Sequence, residues 1–154
     1  MFDQVLAWME EDGWPTQLID GRTAVRTRVS DADDSWEAVA IVYENRHELI
    51  VYAQCGNSPD DRKAAVAEYI TRANYGLPLG NFEMDYSDGE VRYKTGIDVE
   101  GGDISPHLIH NVFYANASTT GKYIPGLRTV FEGADPAEAV RLIEALTRKD
   151  QPVQ

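Results

Sequence analysis

Two histidines, His107 and His110, have the spacing closest to that of a reactive or metal-binding pair. They lie three residues apart near the start of a predicted helix, where two imidazoles could reach one metal ion. No third ligand follows at a recognisable spacing, so a pair of surface histidines is the better interpretation. The remaining histidine, His47, falls at a predicted turn and has no evident nucleophile to activate. The sequence therefore predicts no metal site and no histidine-based catalysis.

The other reactive side chains also lack the neighbours that chemistry requires. Asp31, Asp33 and Asp34 cluster as calcium ligands can, but the central glycine and closing glutamate of an EF-hand are absent. Cys55 ends a predicted strand and is best explained as a small core residue, because a nucleophilic cysteine needs exposure and a basic neighbour. The run Gly101-Gly102-Asp103 is too short for a phosphate-binding loop. No pair of acidic residues has a spacing that indicates general acid–base catalysis. We expect a protein that is not an enzyme and uses no cofactor.

Composition narrows the possible partners. The chain has 154 residues and 17.2 kDa, which suits one domain over residues 1–150 with a frayed tail at 151–154. Its 14 Lys and Arg face 26 Asp and Glu, giving a formal charge of −12. Such a chain repels phosphate backbones and anionic lipid, so neither nucleic acid nor a membrane is an expected partner. The single cysteine excludes an internal disulfide.

The first residues carry no targeting signal. Met1 to Glu11 contains an early acid, no basic region and no long apolar run. No stretch approaches the roughly 20 apolar residues of a membrane helix. We therefore expect a cytoplasmic protein.

Apolar periodicity and capping residues predict four helices. The first covers Phe2–Glu11 and ends at the turn that contains Gly13 and Pro15. The second follows Ser58 as N-cap with Pro59 as its first residue. The third runs from Ser105-Pro106 to about Gly121, with an interruption at Pro125-Gly126. The last helix starts at a cap on Asp135.

Alternating apolar residues predict five or six strands around these helices. The element order α-βββ(β)-α-ββ-α-α lacks β-α-β alternation, so it predicts an α+β fold with a mostly antiparallel sheet. A polar loop is predicted over Ser30–Ser35. The strands are predicted at Thr16–Asp20, Thr23–Val29, Trp36–Glu44, His47–Cys55, Phe82–Tyr86 and Val91–Ile97.

The central hairpin has two apolar faces. A two-residue turn at Asn45-Arg46 pairs Val42 with Leu49 and Ala40 with Val51. The face that includes these residues contains several small side chains, so a helix can pack close to it. The opposite face carries a second apolar patch, formed by Val39, Ile41, Tyr43, Ile50 and Tyr52.

Arginines on the preceding strand border this second patch. If Val29 lies opposite Trp36, then Arg28 lies opposite Glu37, and Arg26 shares the face of the patch. Buried arginines are rare, and an apolar patch with a charged rim is typical of a protein–protein contact. The alternative is that a helix of the same chain covers the patch. Among the tryptophans, Trp8 is best explained as core, whereas Trp14 suits the core and an interface equally. The candidate partner-binding residues are Val39, Ile41, Tyr43, Ile50, Tyr52, Arg26, Arg28 and Trp14.

The second half of the chain resembles the YbjN-type family of proposed bacterial sensory transduction regulators, whose fold is like that of type III secretion chaperones. The resemblance covers roughly residues 60–145 and consists of a helix that ends in Asn, a "G-x-F-E" strand, a "D-G-x-V-x-Y" hairpin and a Pro-Gly pair. In this chain those features are Arg62–Asn74, Gly80–Asp85, Asp88–Tyr93 and Tyr123–Leu127.

The resemblance implies a non-enzymatic domain, a homodimer, and a surface for a client or regulatory protein. It transfers no catalytic residue. The sequence is also compatible with one other function, that of a small-molecule or signal-sensing regulator that uses a pocket between the sheet and the helices. Ligand binding to the folded state would then raise the melting temperature.

Overall fold

The computed structural model describes residues 1–31 and 34–148, which form four α-helices and six strands. A short 3₁₀ helix, Asp60–Arg62, precedes the second α-helix. The helices are α1 (Phe2–Glu11), α2 (Lys63–Tyr75), α3 (Pro106–Phe131) and α4 (Pro136–Arg148). The strands are β1 (Gln17–Leu18), β2 (Ala24–Asp31), β3 (Asp34–Tyr43), β4 (Glu48–Asn57), β5 (Asn81–Met84) and β6 (Glu90–Asp98). The predicted tail at 151–154 lies outside the described residues.

All six strands join one antiparallel sheet in the order β1-β2-β3-β4-β6-β5. The predicted α+β class is confirmed. The predicted register of the central hairpin is also confirmed, because Val42 lies opposite Leu49. The same holds for β2 and β3, where Arg28 lies opposite Glu37. Side chains therefore alternate between the two faces of the sheet as the sequence analysis expects.

The bounds of the strands differ from the predicted ones, most clearly in β1 and between β2 and β3. β1 has two residues instead of five, because the chain already turns after Ile19, whose carbonyl accepts the N–H of Arg22 (3.2 Å). The predicted loop Ser30–Ser35 is wrong at both ends, where Ser30 pairs with Ser35 and Asp31 with Asp34. Ladder hydrogen bonds use backbone atoms, so polar side chains do not stop the strands. Residues 32 and 33 lie outside the described part.

The predicted cap at Ser58 is wrong, whereas the predicted cap at Asp135 is confirmed. The Ser58 hydroxyl donates to the Pro59 carbonyl (3.0 Å), and α2 begins only at Lys63. Ser58 is held at the sheet instead, since its N–H donates to the Gly89 carbonyl (2.8 Å). Ser105 and Asp135 accept backbone N–H groups at the starts of α3 and α4.

Helix α3 continues through Pro125-Gly126, so the predicted end near Gly121 is wrong. Buried Ile124, Leu127 and Val130 pack this segment into the core, and packing outweighs the cost of an interior proline. Gly126 is needed for close approach, because a Cβ there would lie 2.5 Å from the Tyr69 hydroxyl oxygen. Gly126 therefore allows the neighbouring helices to pack closely against α3. It does not break α3.

The core lies between the sheet and the helices, and a buried amide fixes α3 on it. Asn116 Nδ2 donates to the carbonyl of Val51 on β4 (3.0 Å) and to that of Tyr93 on β6 (3.3 Å). Small side chains on β3 and β4, such as Ala38 and Ala53, are fully buried beneath the helices. Along residues 1–31 and 34–148, no helix combines the length and apolarity needed to cross a bilayer.

Candidate functional site

The side of the sheet opposite the helices carries the second apolar patch, and we call this side the open face. On β3 and β4, residues that point toward the helices are buried, and those that point away are half-buried. Ile41 lies opposite Ile50 and Val39 opposite Tyr52, so the apolar side chains meet across the two strands. The helices of the described residues pack on the other side and leave the patch uncovered. The residues of the patch are Val39, Ile41, Tyr43, Ile50 and Tyr52.

Two exposed arginines on β2 form one border of the patch. Arg26 lies opposite Val39, with its Nε 3.7 Å from an oxygen of Glu37. Arg28 donates to the Ser35 hydroxyl (3.0 Å). Both contacts are solvent-exposed and therefore weak, so the guanidinium groups can turn toward another molecule. The structure thus brings seven of the eight predicted site residues together on one face.

The border on β6 is also cationic, and the sequence analysis missed it. The Arg92 guanidinium lies 4.4 Å from the centroid of the Tyr52 ring. Glu83 on β5 binds both Arg92 (2.9 Å) and Lys94 (2.6 Å). The alternation of β6 indicates that Arg92 and Lys94 share a face, but nothing local indicates that β6 lies beside β4.

These neighbours stabilise the ionised form of Glu83. Burial raises the pKa of its carboxyl group, but the hydrogen bonds from Lys94 and Arg92 lower the pKa by more. The net pKa lies below the ordinary value of a glutamate. The same carboxylate raises the pKa of Arg92, against the opposing effect of burial. This edge of the open face is therefore a fixed ion-paired network.

The outer edge of β2 is only half paired. The Ala24 carbonyl accepts the N–H of Ile19, which shows that even-numbered residues of β2 direct their backbone groups away from β3. The backbone N–H and C=O groups of Arg28 and Ser30 therefore also point away from β3. Because β1 consists only of Gln17–Leu18, no strand of the described residues pairs with this half of the edge. The open face therefore continues to an edge with accessible hydrogen-bonding groups.

Trp14 lies apart from the open face, in the helical layer. Its ring is 6.1 Å from that of Trp8 and 5.4 Å from that of Phe113. Its Nε1 donates to Asp12 (2.8 Å), which also accepts from the Tyr114 hydroxyl (3.0 Å). These contacts attach the end of α1 to α3. Trp8 is buried, as the sequence analysis expects.

The two helical histidines lie beside this aromatic cluster. His107 is exposed, and its ring centroid is 6.4 Å from that of His110. His110 stacks on Tyr114 with ring centroids 4.1 Å apart. Within the described residues, no group of three His, Cys, Asp or Glu side chains could hold a metal ion. His110 thus contributes to the packing of an aromatic surface.

The other reactive candidates are engaged in the fold. Cys55 is buried, and burial raises the pKa of its thiol to about 12. A thiol in that state is a poor nucleophile. Asp34 forms an ion pair with Arg128 of α3, and Asp33 lies outside the described residues. His47 has φ of 51° in the turn between β3 and β4. The Gly101-Gly102 pair belongs to the turn that precedes α3.

A cleft of about 540 Å³ lies where β3 begins and β4 ends against α3, in the region where the alternative small-molecule pocket is predicted. Its floor includes Trp36, Cys55 and Phe131. One of the charged groups at its border, Arg128, pairs with Asp34. Nothing in this cleft singles out a class of ligand.

Comparison with known proteins places this geometry in a family. The family model YbjN, described as "Putative bacterial sensory transduction regulator", matches residues 2–129 and so begins further upstream than the resemblance seen in the sequence. Among curated protein sequences, none is significantly similar. The crystal structure of YbjN from E. coli superposes with a TM-score of 0.57 at 9% identity, covering 78% of this chain and 88% of that one. A chain from the crystal structure of the ExsC-ExsE complex has a TM-score of 0.50 at 11% identity, covering 80% and 90%. At these identities the structures show a shared fold, and the family model shows that the chain belongs to the YbjN family.

Proposed function

We propose that this chain is a non-enzymatic binding domain, regulatory or chaperone-like, whose open face contacts another polypeptide. The observation that carries the proposal is the uncovered apolar patch around Ile41 and Tyr52. A patch of this kind on a folded domain is typical of an interaction site. Membership of the YbjN family supports a regulatory role, and one protein of similar fold is known from a two-protein complex.

The chemistry of the open face suits a particular kind of partner. Apolar side chains of the partner would pack on Ile41, Ile50 and Tyr52. Carboxylates beside them would meet Arg26 and Arg28, whose present contacts are weak. The unpaired half of the β2 edge supplies backbone groups to an extended segment. The partner is therefore a segment with apolar residues flanked by acids.

The experiment compares two double variants of the tagged protein. Ile41→Asp with Tyr52→Asp places charges in the patch, whereas Leu142→Asp with Leu146→Asp places the same charges on exposed positions of α4. Each protein is used to capture partners from its native lysate, and circular dichroism confirms that it is folded. The proposal requires a partner that the wild type and the α4 variant both capture at fixed stoichiometry and the patch variant loses. Retention of that partner by a folded patch variant would refute it.

We also propose that the chain forms a homodimer. Light scattering of the purified protein after size exclusion should give twice the 17.2 kDa of one chain. If the patch variant becomes monomeric while captured partners remain, the open face serves the dimer and not the partner. A monomeric wild type would refute the homodimer alone.

A further inference from the structure

A second site opens between the helices, on the side of the molecule away from the open face. Helices α2, α3 and α4 surround a cleft of about 790 Å³. Clefts of roughly 300–1,000 Å³ are typical of small-molecule sites. The side chains that define its chemistry are Arg72, Tyr75, Lys122, Tyr123, Arg141 and Glu144.

The cleft brings three cationic side chains together in an acidic protein. Arg72, Lys122 and Arg141 come from three different helices, and they are three of only 14 basic residues in the chain. Glu144 is the one carboxylate among the residues that line the cleft. Lys122 has no carboxylate partner within the described residues, and its Nζ lies 4.8 Å from the centroid of the Tyr123 ring. Lys122 thus brings to the cleft a positive charge that no ion pair among the described residues balances.

Arg72 and Arg141 each form an ion pair with an exposed glutamate that an anion could displace. Glu68 accepts from Arg72 Nε (2.8 Å), and Glu138 accepts from Arg141 Nε (2.7 Å). Each pair lies within one helix and is exposed to solvent, and the Arg141 pair is bidentate, because Arg141 Nη2 also lies 2.5 Å from the other carboxylate oxygen of Glu138. Glu68 and Glu138 balance the charges of the two arginines in the unliganded cleft, and a multiply charged ligand would bind the guanidinium groups by displacing these carboxylates.

Two tyrosines provide aromatic surface beside these cations. Tyr75 is 97% exposed and makes no ring contact with the described residues, which is unusual for a large aromatic side chain. Tyr123 forms the buried floor, and its hydroxyl lies 3.5 Å from Glu144. An aromatic ring without a partner at the border of a cationic cleft can stack on a planar group of a ligand.

We infer that this cleft binds a small organic phosphate that carries a planar ring. The phosphate lies among Arg72, Lys122 and Arg141, and the ring stacks on Tyr75. Phosphate suits the site because guanidinium and ammonium groups bind it through charge-assisted hydrogen bonds. This site is distinct from the open face, so the two proposals can fail separately.

The test is an NMR titration of the full ¹⁵N-labelled chain with adenosine monophosphate and with phenyl phosphate. Binding should shift amide signals of residues 71–76, 122–123 and 137–144, with dissociation constants in the millimolar range or below. Adenosine without phosphate should bind much more weakly. If neither phosphate shifts these signals at millimolar concentration, or if the shifts fall on the open face, the assignment is wrong.

Matched variants distinguish binding in this cleft from nonspecific electrostatic attraction of the phosphate to the protein. Lys122→Gln and Arg141→Gln should each weaken binding roughly tenfold, since each removes a charge-assisted hydrogen bond. Arg28→Gln removes the same charge from the open face and should leave the affinity within about twofold. Glu138→Gln frees Arg141 and should tighten binding. Equal losses in Arg28→Gln and Arg141→Gln would overturn the proposal.

The ring contact is tested at Tyr75. Tyr75→Ala should weaken adenosine monophosphate roughly tenfold and leave inorganic phosphate unchanged, because stacking on one aromatic is worth about 1–3 kcal/mol per base. Tyr75→Phe should retain the wild-type affinity. If Tyr75→Ala binds adenosine monophosphate as the wild type does, the stacking role is wrong.

Discussion

The side chain of Asn74 binds both backbone groups of Phe82. The Phe82 N–H donates to Asn74 Oδ1 (2.7 Å), and Asn74 Nδ2 donates to the Phe82 carbonyl (3.0 Å). The amide at the end of α2 thus occupies the place that a neighbouring strand would take beside β5. Two features of the family resemblance, the helix that ends in Asn and the "G-x-F-E" strand, meet in this contact. They hold the fold together and do not form a reactive site.

Replacing Asn74 should destabilise the protein. Asn74→Ala leaves two partly buried backbone groups without partners, so the free energy of unfolding should fall by about 1–3 kcal/mol. Asn74→Asp should also destabilise, because a carboxylate oxygen would face the Phe82 carbonyl. Urea denaturation measures both, with Asn111→Ala on the exposed side of α3 as control. A loss of stability in Asn111→Ala as large as in Asn74→Ala would show that the contact with Phe82 is not the cause.

Replacing the interior proline of α3 should stabilise the protein. Pro125 lacks the N–H that would donate to the Gly121 carbonyl, and its ring crowds that carbonyl. Pro125→Ala restores the hydrogen bond and should raise the free energy of unfolding by about 1–3 kcal/mol. Pro106→Ala at the first turn of the same helix should change little, because proline is well tolerated there. Thermal denaturation of both variants decides the matter, and a less stable Pro125→Ala protein would contradict the prediction.

The contribution of Glu83 to stability should depend on pH. Its pKa in the folded protein lies below the ordinary value of 4.5. A lowered pKa means that the stabilisation is fully present above about 4.5 and disappears as the pH falls through the folded pKa. Glu83→Gln should therefore be about 1–2 kcal/mol less stable than wild type at neutral pH.

The difference between Glu83→Gln and wild type should shrink in acid. Chemical denaturation at several pH values, with Glu100→Gln in an exposed loop as control, follows the change. A difference between Glu83→Gln and wild type that stays constant into strong acid would show that the ion pairs with Arg92 and Lys94 contribute nothing.

Cys55 should react only when the protein unfolds. Burial removes access to the sulfur, and the pKa of about 12 leaves almost no thiolate at neutral pH. Reaction with Ellman's reagent should be at least roughly a thousandfold slower in the native protein than in denaturant. Fast reaction of the folded chain would reopen the question of a reactive cysteine.

Local signals were enough for most elements and for the pairing of β3 with β4. The predicted pairing across Asn45-Arg46 and the strict alternation from Ala38 to Val42 indicate which residues share a face, although the turn itself covers residues 44–47 and is longer than predicted. These local signals do not indicate that β6 lies beside β4. The two strands are about forty positions apart in the sequence, and no local pattern predicts their pairing. This is why Arg92 and Lys94 are absent from the predicted site.

The remaining differences also arise from long-range packing. Nothing within Tyr123–Leu127 indicates that the helix survives its proline, since the stabilising contacts come from α2, α4 and the sheet. Trp14 shows the same limitation for the candidate site. Its exposure could not be judged before the position of α3 was known, and its neighbours there are aromatic side chains of the helical layer.

Along β3 and β4, alternate side chains point to the interior and to the open face. Val42 and Leu49 belong to the interior, whereas their sequence neighbours Ile41 and Ile50 face outward. Substitutions at the outward positions leave the interior contacts intact. Under the proposed function, single substitutions at the outward positions would change the partner surface while the side chains of the interior stay the same.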